Sequence, residues 1–369
     1  LLNSPTSQFA IFYSISEHIR KINEYAFYMS DTVTANRKSR KKIHIDTSAK
    51  KTICHGHATK AFACLAIVAF MGFLLAKPQY YLDSARRGLS LFASSVLPSL
   101  FPFYFCSLLL TYMGAVSAIS RAGAKGVKLL FNAPKESAYV LFLSMLCGYP
   151  VGASTIYELY SAGVISQNDA KRICSFCSTS GPVFMIGTIG GAIFGNTKVG
   201  LIVLAAHYLG AIANGLLYRK RKSDDTATAF SSKTDIDDIL SCAISKATIN
   251  MLYVGGYIVI CGMIVDTLEL VGIRNVVSNF GDASQPVLAV IYSFIEMTRA
   301  SIECSKCANI RLATMLCAGA VSFGGLSVTL QSYTFLSKCN VRFFELILKK
   351  LTQCALSMVF AFLFGILAL

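Results

Sequence analysis

The sequence predicts an all-α, polytopic membrane protein built from two related halves. Three observations carry that prediction. Hydrophobic residues make up 54% of the 369 positions, only 14% are charged, and the apolar residues gather into long runs. An ordinary soluble domain is roughly 25% charged, whereas a hydrocarbon core about 30 Å thick takes roughly 20 apolar residues per helix. The mean hydropathy of +0.57 points the same way.

The net charge of +15 is unevenly placed. Residues 1–59 hold Arg37, Lys38, Arg40, Lys41, Lys42, Lys50 and Lys51 without an apolar period. They are expected to be disordered and cytoplasmic, because basic clusters stay inside. Met29 is a candidate start, with 1–28 an upstream extension. No small-residue cleavage site follows the basic tract, so the first span, 60–75, is expected to act as a signal anchor.

The first membrane half covers 60–219. After the first span, 88–119 carries Pro98 and Pro102, which remove backbone donors and predict a broken helix. Arg121, Lys125, Lys128 and Lys135 predict a polar inside loop. Residues 136–147 are too few to cross comfortably. Gly148, Tyr149, Pro150, Val151 and Gly152 then turn the chain, and 153–163, with Glu158, reads as the return arm of a re-entrant hairpin. Ser166 followed by Asp169 predicts a capped helix over 166–177, ended by Ser178, Thr179, Ser180, Gly181 and Pro182. A short apolar piece, 183–195, and a span, 199–218, lead to the basic knot at Arg219, Lys220, Arg221 and Lys222.

Residues 220–240 form a polar cytoplasmic linker, and 241–369 repeat the design. Residues 241–270 are interrupted by Gly255 and Gly256. Residues 286–302 hold Glu296, Thr298 and Arg299 and read as a half-helix. Residues 310–323 reach Gly324 and Gly325, and 343–369 is the last span. Aligned in chain order, the stretch around Pro102 matches that around Gly256, and 147–163 matches 323–339. Residues 148–152 and 324–327 are therefore the predicted tips of two hairpins. Paired Gly/Pro interruptions in corresponding places point to a substrate site at the repeat interface.

Unwound backbone is tolerated in a membrane only where it faces protein or water. Half-helix ends offer free N–H groups and partial positive charge, which suit a carboxylate. The candidate substrate-binding residues are Gly148, Tyr149, Pro150 and Gly152; Ser178, Thr179, Ser180, Gly181 and Pro182; Glu296, Thr298 and Arg299; and Gly324, Gly325, Ser327 and Gln331. Ionisable groups inside an apolar run are costly and usually functional, so Arg299 is expected to neutralise Glu296 or Glu303 or to hold an anion. His207 and Asn214 read as helix-packing residues. Cys174/Cys177 and Cys304/Cys307 have zinc-like spacing, but their helical, apolar setting argues against a metal site, and no cofactor is expected. No P-loop, HExxH or Gly-x-Ser-x-Gly pattern occurs, so no enzyme is predicted. Anionic lipid, not nucleic acid, is the expected neighbour of the basic clusters.

Gly148-Tyr149-Pro150-Val151-Gly152, Leu159-Tyr160, Ser175-Phe176-Cys177, Ser180-Gly181-Pro182, Phe194-Gly195-Asn196, His207-Tyr208-Leu209, Glu296-x-Thr298 and 322–327 with Gln331 also resemble the YlbJ family of sporulation integral membrane proteins. Ala300 and Thr329 stand where that pattern expects glycine and histidine. The resemblance covers about 65–369. It implies a nucleoside-recognition, Gate-type domain similar to the hairpin fold of concentrative nucleoside transporters. It also implies a secondary permease of sporulation that moves a small anion such as dipicolinate across the forespore membrane. The alternative is a non-transporting assembly or signalling protein needed for the spore cortex. A coupling proton or sodium ion and a homo-oligomer are both compatible with the sequence.

Overall fold

The computed structural model describes residues 53–219 and 236–369. The expectations for the basic leader and for most of the 220–240 linker lie outside the described residues. The described residues divide into two units after Gly72. Helix α1, Ile53–Ala76, begins in the first; it presents Phe62, Leu65 and Val68 outward, as a lipid-facing helix would.

In the second unit every regular element is helical among the described residues. Helix α2 (Pro78–Leu91) passes through a π-turn at Phe92–Val96 into α3 (Leu97–Tyr112). The predicted break is absent, and the chain stays helical from Pro78 to Tyr112. The π-turn widens the backbone just ahead of Pro98, where a regular turn would clash with the ring. Helix α4 (Ala115–Phe131) replaces the predicted loop. Val116, Ser120, Val127 and Phe131 are buried, while Arg121, Lys125 and Lys128 are exposed, so the basic residues form one face of an amphipathic helix.

Helices α5 (Ser137–Cys147) and α6 (Val151–Ser161) pack against each other across the turn at 148–150. The capping box of α7 (Gln167–Ile173) forms as predicted, Asp169 N–H donating to Ser166 Oγ at 3.1 Å. This helix is shorter than expected, and turns carry the chain to 178–182. A π-helical segment, Phe184–Ile193, follows, and then α8 (Thr197–Leu217), capped by Asn196.

The second half runs α9 (Ile236–Leu270), α10 (Ile273–Ser278), α11 (Ser284–Ser293), α12 (Met297–Ser305), α13 (Ile310–Phe323), α14 (Gly325–Leu336) and α15 (Phe343–Ala368). Helix α9 is continuous through Gly255 and Gly256. A Cβ on Gly255 would lie 2.9 Å from the Phe92 ring, and one on Gly256 would meet nothing within 4 Å. The first glycine thus serves close helix packing, not a break.

The order long helix, packed helix pair, interrupted helix, long helix occurs in each half. The two long helices of equivalent position pair antiparallel. Tyr80 OH donates to Asp266 O, Gly88 abuts Val259, Phe92 abuts Gly255, and Cys242 reaches Tyr112. Numbers rise on one strand of contacts as they fall on the other. Helices α8 and α15 do the same: Gly210 abuts Ser357, while Asn214 Nδ2 donates to Lys349 O at 3.0 Å.

This order corrects the predicted alignment. The packed helix pair of the second half is α11 with α12, and its turn is Phe294, Ile295 and Glu296. Residues 324–327 instead interrupt α13–α14, the counterpart of 178–182. The sequence match followed glycine spacing, and the true second turn has no glycine. There Glu296 in extended conformation (φ −147°) caps α12 by accepting Arg299 N–H at 2.7 Å.

Candidate functional site

Each helix-pair turn rests on the interruption that follows it. In the first half the fit is steric: a Cβ on Gly148 (φ +78°) would lie 2.5 Å from Gly181 N, and one on Gly152 would lie 2.4 Å from Cys177 O. Only glycine allows backbone this close, and Gly148 also needs a conformation other residues avoid. In the second half the fit is by hydrogen bonds, Leu326 N–H to Phe294 O at 2.9 Å and Ser327 N–H to Ile295 O at 3.1 Å. Gly325 approaches just as closely, its Cβ position 2.7 Å from Ile295 O.

The two assemblies meet. Tyr149 OH donates to Val321 O at 3.2 Å. Ser180 N–H donates to His207 Nε2 at 2.9 Å, and His207 Nδ1 lies 2.8 Å from Ser322 Oγ. Since Nε2 accepts, the neutral ring carries its proton on Nδ1 and donates it to Ser322. His207 therefore ties the first interruption to the helix that leads into the second. It is a linking residue, and it occupies the Ser180 N–H that the sequence offered to an anion. Asn214 bonds Ser175 O and Lys349 O at 2.7 and 3.0 Å.

Between the assemblies lies a narrow cleft of about 450 Å³, open margins included, into which Tyr149, Ser180, Glu296, Thr298, Ser327 and Gln331 all face. Its apolar walls come from both antiparallel long helices, through Val96, Leu100, Val254 and Ile258. Six candidates drawn from four separate segments are thus neighbours. All the polar ones are buried, Glu296 at 2% and Gln331 at 4% exposure, and Gln331 Nε2 donates to Ser327 Oγ at 3.2 Å.

The remaining candidates are distributed around this cleft. Gly148, Pro150, Gly152 and Ser178 line a second narrow cavity, about 260 Å³ with open margins included, that also borders Tyr149. Thr179 pairs with Ser144 Oγ at 3.0 Å, Gly181 and Pro182 form the contact and the start of the π-helical segment, and Gly324 and Gly325 supply only backbone. Arg299 is not a free anion ligand. Its guanidinium is engaged by Asp266, which also takes Arg87 at 2.8 Å. Glu303 pairs with Lys306 at 2.7 Å and with Arg274 at 3.2 Å. The hydrogen-bonded Glu269 and Glu303 hold the Arg274 guanidinium above its ordinary pKa. Glu158 lies 3.6 Å from Lys246 and away from the cleft.

One residue escaped the sequence reading. Lys350 is 1% exposed, and its ammonium lies 4.5 Å from the Tyr149 ring centre. The signal was present, a basic residue within an apolar 26-residue helix. Among the described residues no group of three or more His, Cys, Asp or Glu side chains is arranged to hold a metal.

No family model and no solved structure matches the chain. It is 27% identical over 334 residues to the sporulation integral membrane protein YlbJ of Bacillus subtilis (strain 168), covering 81% of this chain and 82% of that protein. With five helices long and apolar enough to cross a membrane among the described residues, and with likeness over most of both lengths, the chain is similar to this sporulation integral membrane protein.

Proposed function

We propose that the chain is a secondary transporter that moves a small anionic metabolite such as dipicolinate across the forespore membrane. The observation that carries this reading is the cleft where the turn or interruption of each half converges, with buried polar side chains from both. Buried polar groups at such a depth are costly unless they have a use.

The topology supports it. Leaving α1 aside, Pro78–Tyr112, the interrupted stretch 167–193 and Thr197–Leu217 give three crossings between residues 78 and 217. With the α5–α6 pair re-entrant, the chain emerges on the opposite side, and the second half is inverted, an arrangement found in many transporters. The antiparallel pairing of equivalent helices agrees. A cytoplasmic amino terminus follows from the basic clusters. Glu296 has no side-chain cation, since Arg299 is held by Asp266. A proton or sodium ion bound there is the coupling ion, which removes its repulsion of an incoming anion.

The test is flux of labelled dipicolinate into proteoliposomes. Correctly folded protein should carry it above the rate of empty vesicles, and equal rates refute this substrate. The direct backbone bonds from 326 and 327 to 294 and 295 favour a second reading, a non-transporting assembly protein that uses the breaks for packing alone. In that case Ser327→Ala and Gln331→Ala would leave dipicolinate movement in sporulating cells unchanged.

A further inference from the structure

On α15, Lys350, Gln353 and Ser357 follow one another at i, i+3 and i+7 and so share a face. They are 1%, 1% and 0% exposed, and each keeps a polar atom without a hydrogen-bond partner: Lys350 Nζ, Gln353 Oε1 and Ser357 Oγ. Ser357 is explained by its close packing on Gly210. Lys350 is not explained so simply. Its neighbour Lys349 is fully provided for, with Glu345 at 2.6 Å and Lys171 O at 2.6 Å. Lys350 has only the Tyr149 ring face, which compensates a buried ammonium in part. An uncompensated charge inside a membrane protein is among the most expensive features a fold can keep.

The opposite wall has a matching deficit. Ser178 Oγ, in the first interruption, is also buried and unpartnered. Its backbone carbonyl accepts from Gln353 Nε2 at 3.1 Å, which holds α15 against this segment. Ser178, Cys174 and Tyr149 all line the second narrow cavity, and Lys350 Nζ lies over the ring of the same Tyr149. Lys350, against the Tyr149 ring, and Ser178, on the cavity that Tyr149 lines, are thus each short of an acceptor.

We propose that Lys350 and Ser178 form a carboxylate-binding subsite, in which one carboxylate of the substrate is the missing partner of both. This rests on the transporter reading only for the identity of the ligand. Tyr149 is the shared wall between this cavity and the cleft that holds Glu296, so a dicarboxylate is held by cationic and hydroxyl donors on one side of the ring and neutral polar groups on the other.

The test uses full-length protein in detergent, unfolded by heat and followed with a thiol-reactive dye that reports its buried cysteines. Sodium pyridine-2,6-dicarboxylate should raise the melting temperature of the wild type, and the neutral diamide should not. Lys350→Gln should weaken the dicarboxylate about 10- to 100-fold, the worth of a charged hydrogen bond, and Lys350→Arg should restore most of it. Without ligand, Lys350→Gln should melt no lower than the wild type, because it removes an unpaired buried charge. The proposal is overturned if the wild type shows no dicarboxylate shift, if the diamide works equally well, if Lys350→Gln binds as the wild type does, or if Lys350→Gln is destabilised without ligand. Proteoliposome flux separates the two claims. Binding that depends on Lys350 without flux sinks the transporter and keeps the subsite; flux with the same KM in wild type and Lys350→Gln does the reverse.

Discussion

Gly152→Ala tests the packing of the first turn on its interruption. Gly152 is helical, so alanine brings no backbone strain and by itself favours the helix. The added methyl would lie 2.4 Å from Cys177 O and 2.7 Å from Ser144 Cβ. The first contact is with backbone that Gln353 and His207 hold in place through Ser178 O and Ser180 N–H, so it has little freedom to retreat. Overpacking of this kind costs about 1–3 kcal/mol, which for a chain of this length corresponds to a melting temperature lowered by about 1–4 °C. Gly256→Ala is the control. Nothing lies within 4 Å of its Cβ position, and a helical glycine with free space gains about 0.4–1 kcal/mol on replacement. Thermal unfolding in detergent reads both, and dipicolinate flux should fall only for Gly152→Ala. Equal melting temperatures for Gly152→Ala and wild type would refute the close approach of turn and interruption.

Other outcomes follow from the same contacts. His207→Ala should destabilise by about 1–3 kcal/mol, because it strands the buried Ser180 N–H; His207→Gln, which can accept again, should recover part of that in the same melt. Asp266→Ala frees both Arg87 and Arg299 and should lower stability by about 1–3 kcal/mol, whereas Arg87→Ala, from the half-exposed end of the network, should cost under about 1 kcal/mol. Cys177 and Cys304 are 3% and 1% exposed and should resist a membrane-permeant maleimide until the protein unfolds, while exposed Cys64 and Cys106 react in the native state. Labelling of native Cys177 at the rate of Cys64 would contradict the packing around the first interruption.

The features that the sequence made legible are those with local causes. Ser166 and Asp169 form their box because cap geometry spans three residues, and Gly148 to Pro150 turns the chain because glycine alone takes φ near +78° there. Where local cues misled, a neighbour or the wider backbone had taken the role. Pro98 does not break its helix because a π-turn lies just ahead of it, and Pro102 is carried inside the helix that follows. The basic residues of α4 read as a loop because their count, not their spacing, was weighed. The Phe294-Ile295-Glu296 turn was hidden because a carboxylate cap does there what glycine does elsewhere. Of the candidate site, Tyr149, Ser180, Glu296, Thr298, Ser327 and Gln331 do share one cleft, but Arg299 faces Asp266 and Lys350 was not considered.

By itself the sequence determined that this chain is helical, that it lives in lipid, and that its helices are interrupted by glycine, proline and hydroxyl residues, since composition and steric preference act over a few residues and need no fold to operate. Only the tertiary structure decided which interruption rests on which turn, that the equivalent helices of the two halves run antiparallel, and that one of two adjacent lysines is satisfied while the other is left without an acceptor. Those outcomes depend on which residues far apart in the chain become neighbours. A Gly152 that fits under Cys177 O, or a Lys350 above Tyr149, is fixed by packing across more than twenty or two hundred positions respectively, a range over which no local pattern carries information.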